Sequence, residues 1–288
     1  MLSYTGSRNL YGSLTNNTTA TNLTLGDTLI NQSQRKILSG YNWPFLEATS
    51  TLKTVASQNY IQLPQNVEKL FTFYVDIDDQ LYQATELTSK DDFDSLGITY
   101  ECSYPLYYYI FDRTIYLWPT PSTADYDVVI TYKPRITDLD TADYTTGTVT
   151  ITASSTTVTG AGTTFTADMV GRYIKTTDRQ WYKISGFTST TVLTIDRPYL
   201  GSAIAGATYN ISQVSQIPED FQVLPVYEAV MNYWAMQGEM ARSKMYKDLF
   251  DMTYKSMTTE YGSKSSKVRV DTLTDKKVNN PNLYITAT

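Results

Sequence analysis

Residues Val226–Phe250 read VYEAVMNYWAMQGEMARSKMYKDLF and contain two helical patterns separated by Gly238. Before the glycine, apolar side chains occupy nearly every direction around the helix axis, which is typical of a helix buried on several sides. After the glycine, they form one stripe opposite a charged face. This stripe consists of Ala241, Met245, Leu249 and Met252, flanked by Tyr246, Phe250 and Met257. The stretch therefore predicts a helical hairpin whose first helix needs partners beyond the second.

The best partner within the chain is a helix near its beginning. Leucine and isoleucine recur there at helical spacing from Leu25 to Leu38, and Pro44 then forbids helix continuation. Burial of Trp234 alone contributes about 2–3 kcal/mol, so leaving this face in water would cost much of the stability of a domain. We predict a helical bundle whose core contains Leu25, Leu29, Ile37, Trp43, Phe45, Val230, Trp234 and Leu249. Met231 and Met236 are the candidates for contact with a neighbouring subunit.

Most of the remaining sequence is typical of short β-strands. Between residues 49 and 138, β-branched and aromatic runs are separated by turn signals, including Asp78-Asp79 and Asp112-Arg113. One short helix is predicted in SKDDFDSLG, with Ser89 as its N-cap. From residue 145 to 213, about six further strand signals alternate with Gly, Ser and Asp turns. They predict a small all-β domain, either a barrel or a sandwich.

The predicted fold class is α+β, in which the N-terminal helix and the C-terminal helical hairpin form a bundle beside an antiparallel β-sheet. Residues 23–144 and 214–262 form this core. Residues 145–213 are an inserted β-domain, an arrangement tolerated where the two ends lie close together. Residues 1–22, rich in Ser, Thr, Asn and Gly, are expected to be an extended arm. Residues 263–288 lose helical periodicity and are expected to form a second extended arm.

The composition excludes several classes of function. The 288-residue chain has a formal net charge of −6, no histidine and a single cysteine, Cys102. Without histidine there is no Ser-His-Asp triad and no His-based metal site, and one cysteine forms no intrachain disulfide. An acidic chain lacks the basic surface that nucleic-acid binding needs, although it suits a wall along which DNA slides. No segment has the roughly eighteen consecutive apolar residues of a membrane span.

Two kinds of local cluster have simple structural explanations. The acidic runs at Asp76–Asp79 and Asp91–Asp94 lack EF-hand spacing, and a hairpin turn and a helix N-terminus account for them. The run YPLYYYIF at Tyr104–Phe111 has the composition of an aromatic platform for sugars or bases, but alternation on a sheet with one buried face explains it better. We therefore predict no catalytic residue, no metal and no other cofactor.

Two segments resemble the head-to-tail adaptor (connector or neck) proteins of tailed bacteriophages. They are LGDTLINQSQRKILSGYNWPFLEA at Leu25–Ala48 and the stretch from IPEDF to YKSM at Ile217–Met257. The inserted β-domain is similar to one found in phage structural proteins, chiefly in STTVTGAGTTFT and MVGRYIK. The positions that carry the adaptor resemblance are Asn31, Trp43-Pro44, Pro218-Glu219-Asp220, Gly238 and Ala241.

The resemblance implies a structural virion protein rather than an enzyme. Such adaptors form a homo-oligomeric ring, usually of twelve copies, between the portal and the tail, through which DNA passes without sequence-specific binding. The implied partners are the portal protein and the tail tube, nozzle or stopper proteins, and the implied location is the virion neck after assembly in the host cytoplasm. The candidates for a portal-binding arm are Val268, Val270, Leu273, Leu283, Tyr284 and Ile285.

Two alternatives to this function remain. A carbohydrate-binding or adhesion module of a phage structural protein would explain the tyrosine content and predicts glycan binding by residues 145–211, but it leaves the helical ends unexplained. Another ring component of the neck or tail, a stopper or a nozzle, shares the same sequence features as an adaptor.

Overall fold

The computed structural model describes residues 1–97, 104–122 and 126–262, which form a mixed α+β structure with five α-helices and several sheets. The contacts divide them into two compact units. The first contains Met1–Tyr41 and Thr137–Gly262, and the described part of the second is Asn42–Ile136. The helices are α1 (Tyr4–Leu14), α2 (Ala20–Ser39), α3 (Lys90–Ser95), α4 (Leu224–Met236) and α5 (Met240–Tyr261).

Four of these helices share one hydrophobic cluster in the first unit. Helix α4 packs against α1, α2 and α5, which agrees with its apolar residues pointing in nearly every direction. Pro225 lies in the first turn of α4, where its missing N–H costs no hydrogen bond. The buried members of the cluster are Tyr4, Tyr11, Leu29, Ile30, Leu139, Val226, Ala229, Val230, Tyr233, Trp234 and Tyr246.

The prediction of an extended arm over residues 1–22 is wrong, because α1 and the beginning of α2 occupy this segment. The Ser3 hydroxyl accepts a hydrogen bond from the Gly6 N–H at 3.0 Å and caps α1. Tyr11 of α1 is fully buried and lies where a Cβ on Gly26 of α2 would be, so a glycine lets the two helices approach closely. Ser, Asn and Gly are poor helix formers, and packing of the tyrosines stabilises a helix that local propensity does not predict.

Helix α2 begins earlier than its apolar spacing indicates, since Thr19 caps it and Ala20 opens it. As a result Asp27 lies in the middle of α2, where it forms an ion pair with Arg8 of α1 at 3.2 Å. Burial raises the pKa of the Asp27 carboxyl, and the nearby Arg8 charge opposes this shift. The Asp27 carboxylate thus links two helices of the unit.

The second unit contains two four-stranded sheets over a common cluster. The sheet orders are β1-β8-β3-β4 and β2-β7-β6-β5. Their inner faces provide buried residues such as Phe73, Val75, Ile115 and Ile130. The strands are β1 (Ala48–Lys53), β2 (Tyr60–Gln62), β3 (Val67–Ile77), β4 (Gln80–Gln83), β5 (Thr85–Glu86), β6 (Tyr107–Phe111), β7 (Thr114–Trp118) and β8 (Asp127–Pro134).

Local turn and cap predictions in this unit are confirmed. Asp78-Asp79 and Asp112-Arg113 connect β3 to β4 and β6 to β7, and all four residues have positive φ, as tight hairpin turns require. Ser89 caps α3 through the Asp91 N–H. The purely antiparallel sheet is not found, since β5 runs parallel to β6. A parallel pair needs a long crossover, and α3 lies within this one.

Residues 144–212 form a curved seven-stranded antiparallel sheet in the first unit. The sheet order is β14-β9-β10-β13-β12-β11-β15. Residues from β9 to β15, including Val149, Ile184 and Ile211, belong to a single hydrophobic cluster, so the sheet bends around its own core. The strands are β9 (Thr148–Ile151), β10 (Thr157–Ala161), β11 (Tyr173–Lys175), β12 (Trp181–Ser189), β13 (Val192–Ile195), β14 (Ile204–Ala207) and β15 (Asn210–Ser212).

Among the helices that the structure describes, none is both long and apolar enough to cross a membrane.

Candidate functional site

The turn between α4 and α5 is formed at Gly238, as the sequence predicts. Gly238 has φ of +78°, a conformation that L side chains rarely adopt. The Glu239 N–H donates to the Trp234 carbonyl at 2.9 Å, which satisfies an acceptor at the end of α4. Helix α5 therefore folds back along α4, and one of its faces becomes buried.

The buried face of α5 differs from the predicted stripe. Tyr246 and Met257 are buried, and the Tyr246 ring lies 6.4 Å from the ring of Tyr227 on α4. The Arg242 guanidinium lies over the Trp234 ring at 4.4 Å. Residues 242, 246, 249 and 257 are spaced by three, four or eight positions and so follow one side of the helix.

Helix α5 and the end of α4 also carry exposed methionines. Met240, Met245 and Met252 are 66 %, 49 % and 65 % exposed, and Met236 at the end of α4 is 62 % exposed. We call Met236, Met240, Met245 and Met252 the methionine patch. The expectation that Met245 and Met252 pack within the chain is wrong, because α5 has two apolar sides and the tyrosine-bearing side faces α4.

Charged residues accompany the methionine patch. Lys244 and Asp248 line a shallow depression on α5 together with Met245, Leu249 and Met252. On an adjacent side, Lys247 donates a hydrogen bond to the Asp251 carboxylate, which raises the pKa of the lysine. The patch thus combines flexible apolar side chains with both signs of charge, a composition suited to a contact with another protein.

The predicted core residues fall into two groups. Leu29, Val230 and Trp234 belong to the cluster around α4, Leu25 and Leu249 are partly buried against it, and Ile37 is buried. Trp43 and Phe45 belong to the second unit, where their rings stack at 5.5 Å. Of the two predicted subunit contacts, Met231 packs against its own cluster and Met236 is exposed. Cys102 and the arm candidates Val268, Val270, Leu273, Leu283, Tyr284 and Ile285 lie outside the described residues.

Side-chain amides from α2 and from the end of β15 hold the segment Thr137–Thr141, and the sequence does not indicate this. The Asn31 side chain donates to the Leu139 carbonyl at 2.9 Å and accepts from the Leu139 N–H at 2.8 Å. Gln34 donates to the Thr137 carbonyl at 2.8 Å. Gln213 accepts from the Asp140 and Thr141 N–H groups at 2.8 and 3.0 Å. The backbone of this segment is irregular, so its N–H and C=O groups lack partners in a helix or sheet. These side-chain amides form the hydrogen bonds instead.

Comparison with protein families locates the chain among known proteins. A family model described as SU10 adaptor protein matches residues 8–161, which is more than half of the chain. The chain belongs to the SU10 adaptor protein family. The matched range begins within α1 and includes α2 and the described strands from β1 to β10, while α4 and α5 lie beyond it. No curated protein sequence matches the chain.

Membership of this family gives the adaptor a structural role in a phage particle and implies that it is not an enzyme. Within residues 1–97, 104–122 and 126–262, no three His, Cys, Asp or Glu side chains are grouped closely enough to hold a metal ion. An adaptor family implies contacts with other phage capsid or tail proteins.

Proposed function

We propose that this SU10-family adaptor is a head-to-tail connector of the virion neck, in which α1, α2, α4 and α5 form the bundle of each subunit in a ring between portal and tail. The ring is homo-oligomeric, with twelve copies, and it assembles in the host cytoplasm. The family match supports the adaptor role, and the helical cluster around α4 supports a rigid bundle.

The main structural support for assembly into a ring is the methionine patch. Exposed apolar patches often mark protein–protein contacts. Here four methionines of α5 and the end of α4 are about half exposed or more. Methionine side chains adapt to irregular partner surfaces. In the proposed ring, the patch contacts a neighbouring copy, and the exposed Met236 belongs to this contact.

Charge supports the proposed passage of DNA. The net charge of −6 provides no general attraction for phosphates, so a channel lined by this chain would let DNA slide without sequence-specific binding. The portal is the proposed partner of residues 263–288, and tail tube, nozzle or stopper proteins are the proposed partners on the other side.

Co-sedimentation with purified portal rings from the same phage tests this function. Met245→Glu with Met252→Glu places two charges on the patch without touching the core, so the variant should fold normally and fail to saturate the portal. Leu200→Glu, at an exposed leucine in the loop between β13 and β14, is the matched control and should bind as the wild type does. Equal portal occupancy by the patch variant and the wild type would contradict the proposed ring contact.

A further inference from the structure

One face of the second unit carries aromatic side chains that its core does not use. In the hairpin of β6 and β7, Tyr109 lies opposite Tyr116 and Phe111 lies opposite Thr114, so these four residues share a face. The other face contributes Tyr108, Ile115 and Leu117 to the buried cluster. Burial in the core therefore explains the aromatic residue at Tyr108. It does not explain those at Tyr109, Phe111 and Tyr116.

These outward aromatic residues line a pocket of about 510 Å³, a volume within the usual range for small-molecule sites. Helix α3 forms its second wall, where the Phe93 ring lies 6.1 Å from the Tyr109 ring. Phe111 is 60 % exposed at the rim. The remaining lining residues are Asn59, Lys90 and Asp94.

The polar groups of the pocket are suited to hydroxyl groups. The backbone of Asn59 is fixed, since its carbonyl accepts from the Leu117 N–H at 2.7 Å. In the part of the chain that the structure describes, the Asn59 amide and the Tyr109 and Tyr116 hydroxyls have no hydrogen-bond partner in the protein. An amide both donates and accepts, as does a phenol, so they match a ligand with several hydroxyls.

Charge indicates a neutral ligand. Lys90 and Asp94 face each other at 3.5 Å, so their charges largely compensate within the pocket wall. Helix α3 also carries Asp91 and Asp92 in its first turn, which disfavours the phosphates of a nucleic acid. The bases of a nucleic acid also stack on aromatic rings, but each is attached to a backbone of negatively charged phosphates.

We propose that this pocket binds a neutral pyranose glycan, with sugar C–H faces against Tyr109, Phe111 and Tyr116 and hydroxyls on Asn59. The electron-rich faces of aromatic rings attract the weakly positive C–H groups of a sugar ring. The proposal is independent of ring formation, because its residues lie in the second unit and the methionine patch lies in the first. It also differs from glycan binding by residues 145–211, because the pocket is formed by residues 59–116 of the second unit.

Saturation-transfer NMR with the full chain and three probes, lactose, cellotriose and chitotriose, tests the proposal. We expect a signal from at least one sugar, a loss of affinity of about tenfold or more in Phe111→Ala, and a smaller loss in Asn59→Ala. Tyr82→Ala, at an exposed tyrosine of β4 outside the pocket, is the matched control and should bind normally.

Two results of the sugar experiments would overturn the proposal. One is the absence of a signal with all three sugars, and the other is undiminished binding by Phe111→Ala. Tighter binding of a thymidine oligonucleotide than of any sugar would also contradict it. Circular dichroism confirms that each variant is folded, and portal co-sedimentation of Phe111→Ala should be normal, so that failure of this proposal is distinct from failure of the adaptor function.

Discussion

The Arg242 guanidinium lies 4.4 Å from the centre of the Trp234 ring and connects α5 to α4. An Arg over an indole face is a favourable cation–π pair, worth about 0.5–1 kcal/mol at an exposed site. Trp234 also packs edge-to-face on Tyr233, with ring centroids 5.2 Å apart. This contact orients α5 so that its tyrosine-bearing side is buried and its methionine patch is exposed.

Replacement of Trp234 by alanine should destabilise the first unit by about 3–5 kcal/mol, because it removes a large buried side chain and leaves a cavity. Trp234→Phe should cost less, since the buried indole N–H has no hydrogen-bond partner among the described residues. Urea unfolding followed by circular dichroism measures both changes. Equal stability of Trp234→Ala and the wild type would show that the hairpin is not part of the core.

The close approach of the Tyr11 ring to Gly26 predicts a second change in stability. An alanine Cβ at this position would lie 2.4 Å from Cδ1 of Tyr11, so the ring must move. We expect a cost of about 1–3 kcal/mol from overpacking, despite the better helix propensity of alanine. Thermal unfolding measures it.

Gly6→Ala is the matched control for Gly26→Ala. A Cβ at Gly6 would lie 3.2 Å from the flexible end of Leu2, so this change should stay within about 1 kcal/mol of the wild type. The cost at Gly26 should shrink in the double variant with Tyr11→Ala, since the clash is then removed. If the stability changes of Gly26→Ala and Tyr11→Ala were purely additive, the contact between Tyr11 and Gly26 would be contradicted.

Alkaline pH should weaken the first unit through Tyr11. Burial, followed by the nearby Tyr233, raises the pKa of Tyr11 to about 12, against about 10 in an unfolded chain. The stability that the neutral phenol contributes is therefore complete below about pH 10 and is lost as the pH rises through about 12. Urea unfolding between these values should show a shallower decline for Tyr11→Phe than for the wild type.

The exposed Tyr82 provides the matched Tyr→Phe control. Tyr82→Phe should leave the stability of the first unit unchanged, because Tyr82 is exposed and lies in the second unit. Identical pH dependence of Tyr11→Phe and the wild type would argue that Tyr11 ionises freely, as an exposed residue does.

Local chemistry made part of this fold predictable. The hairpin turns at Asp78-Asp79 and Asp112-Arg113, the Ser89 cap and the Gly238 break each depend on a few neighbouring residues, so the sequence indicates them directly. Helix α1 depends instead on contacts between Tyr11 and Gly26, and a local pattern of Ser, Asn and Gly conceals it.

The candidate surface was less predictable for a related reason. Helix α5 has apolar residues on two sides, and periodicity alone does not tell which side meets α4. The Arg242–Trp234 and Tyr246–Tyr227 contacts decide it, and both join residues on different helices. The aromatic pocket arises in the same way, since α3 and the β6–β7 hairpin bring separate segments together.

Deletion of residues 263–288 should abolish portal binding and leave the fold intact. Among the described residues, three hydrophobic clusters provide the cores of the two units, and circular dichroism of the truncated chain checks that they persist. A chain in which the same 26 residues are permuted in order is the control for their bulk and charge. Co-sedimentation with portal rings measures the effect, and normal portal binding by the truncated chain would contradict a role for these residues as a portal arm.

Electron cryo-microscopy of portal rings mixed with the full chain tests the central claim most directly. We predict an added ring that has the rotational symmetry of the portal, with the methionine patch of each copy against its neighbour. Portal rings without added density, or with copies attached at irregular positions, would contradict the assignment of this chain as a ring-forming head-to-tail adaptor.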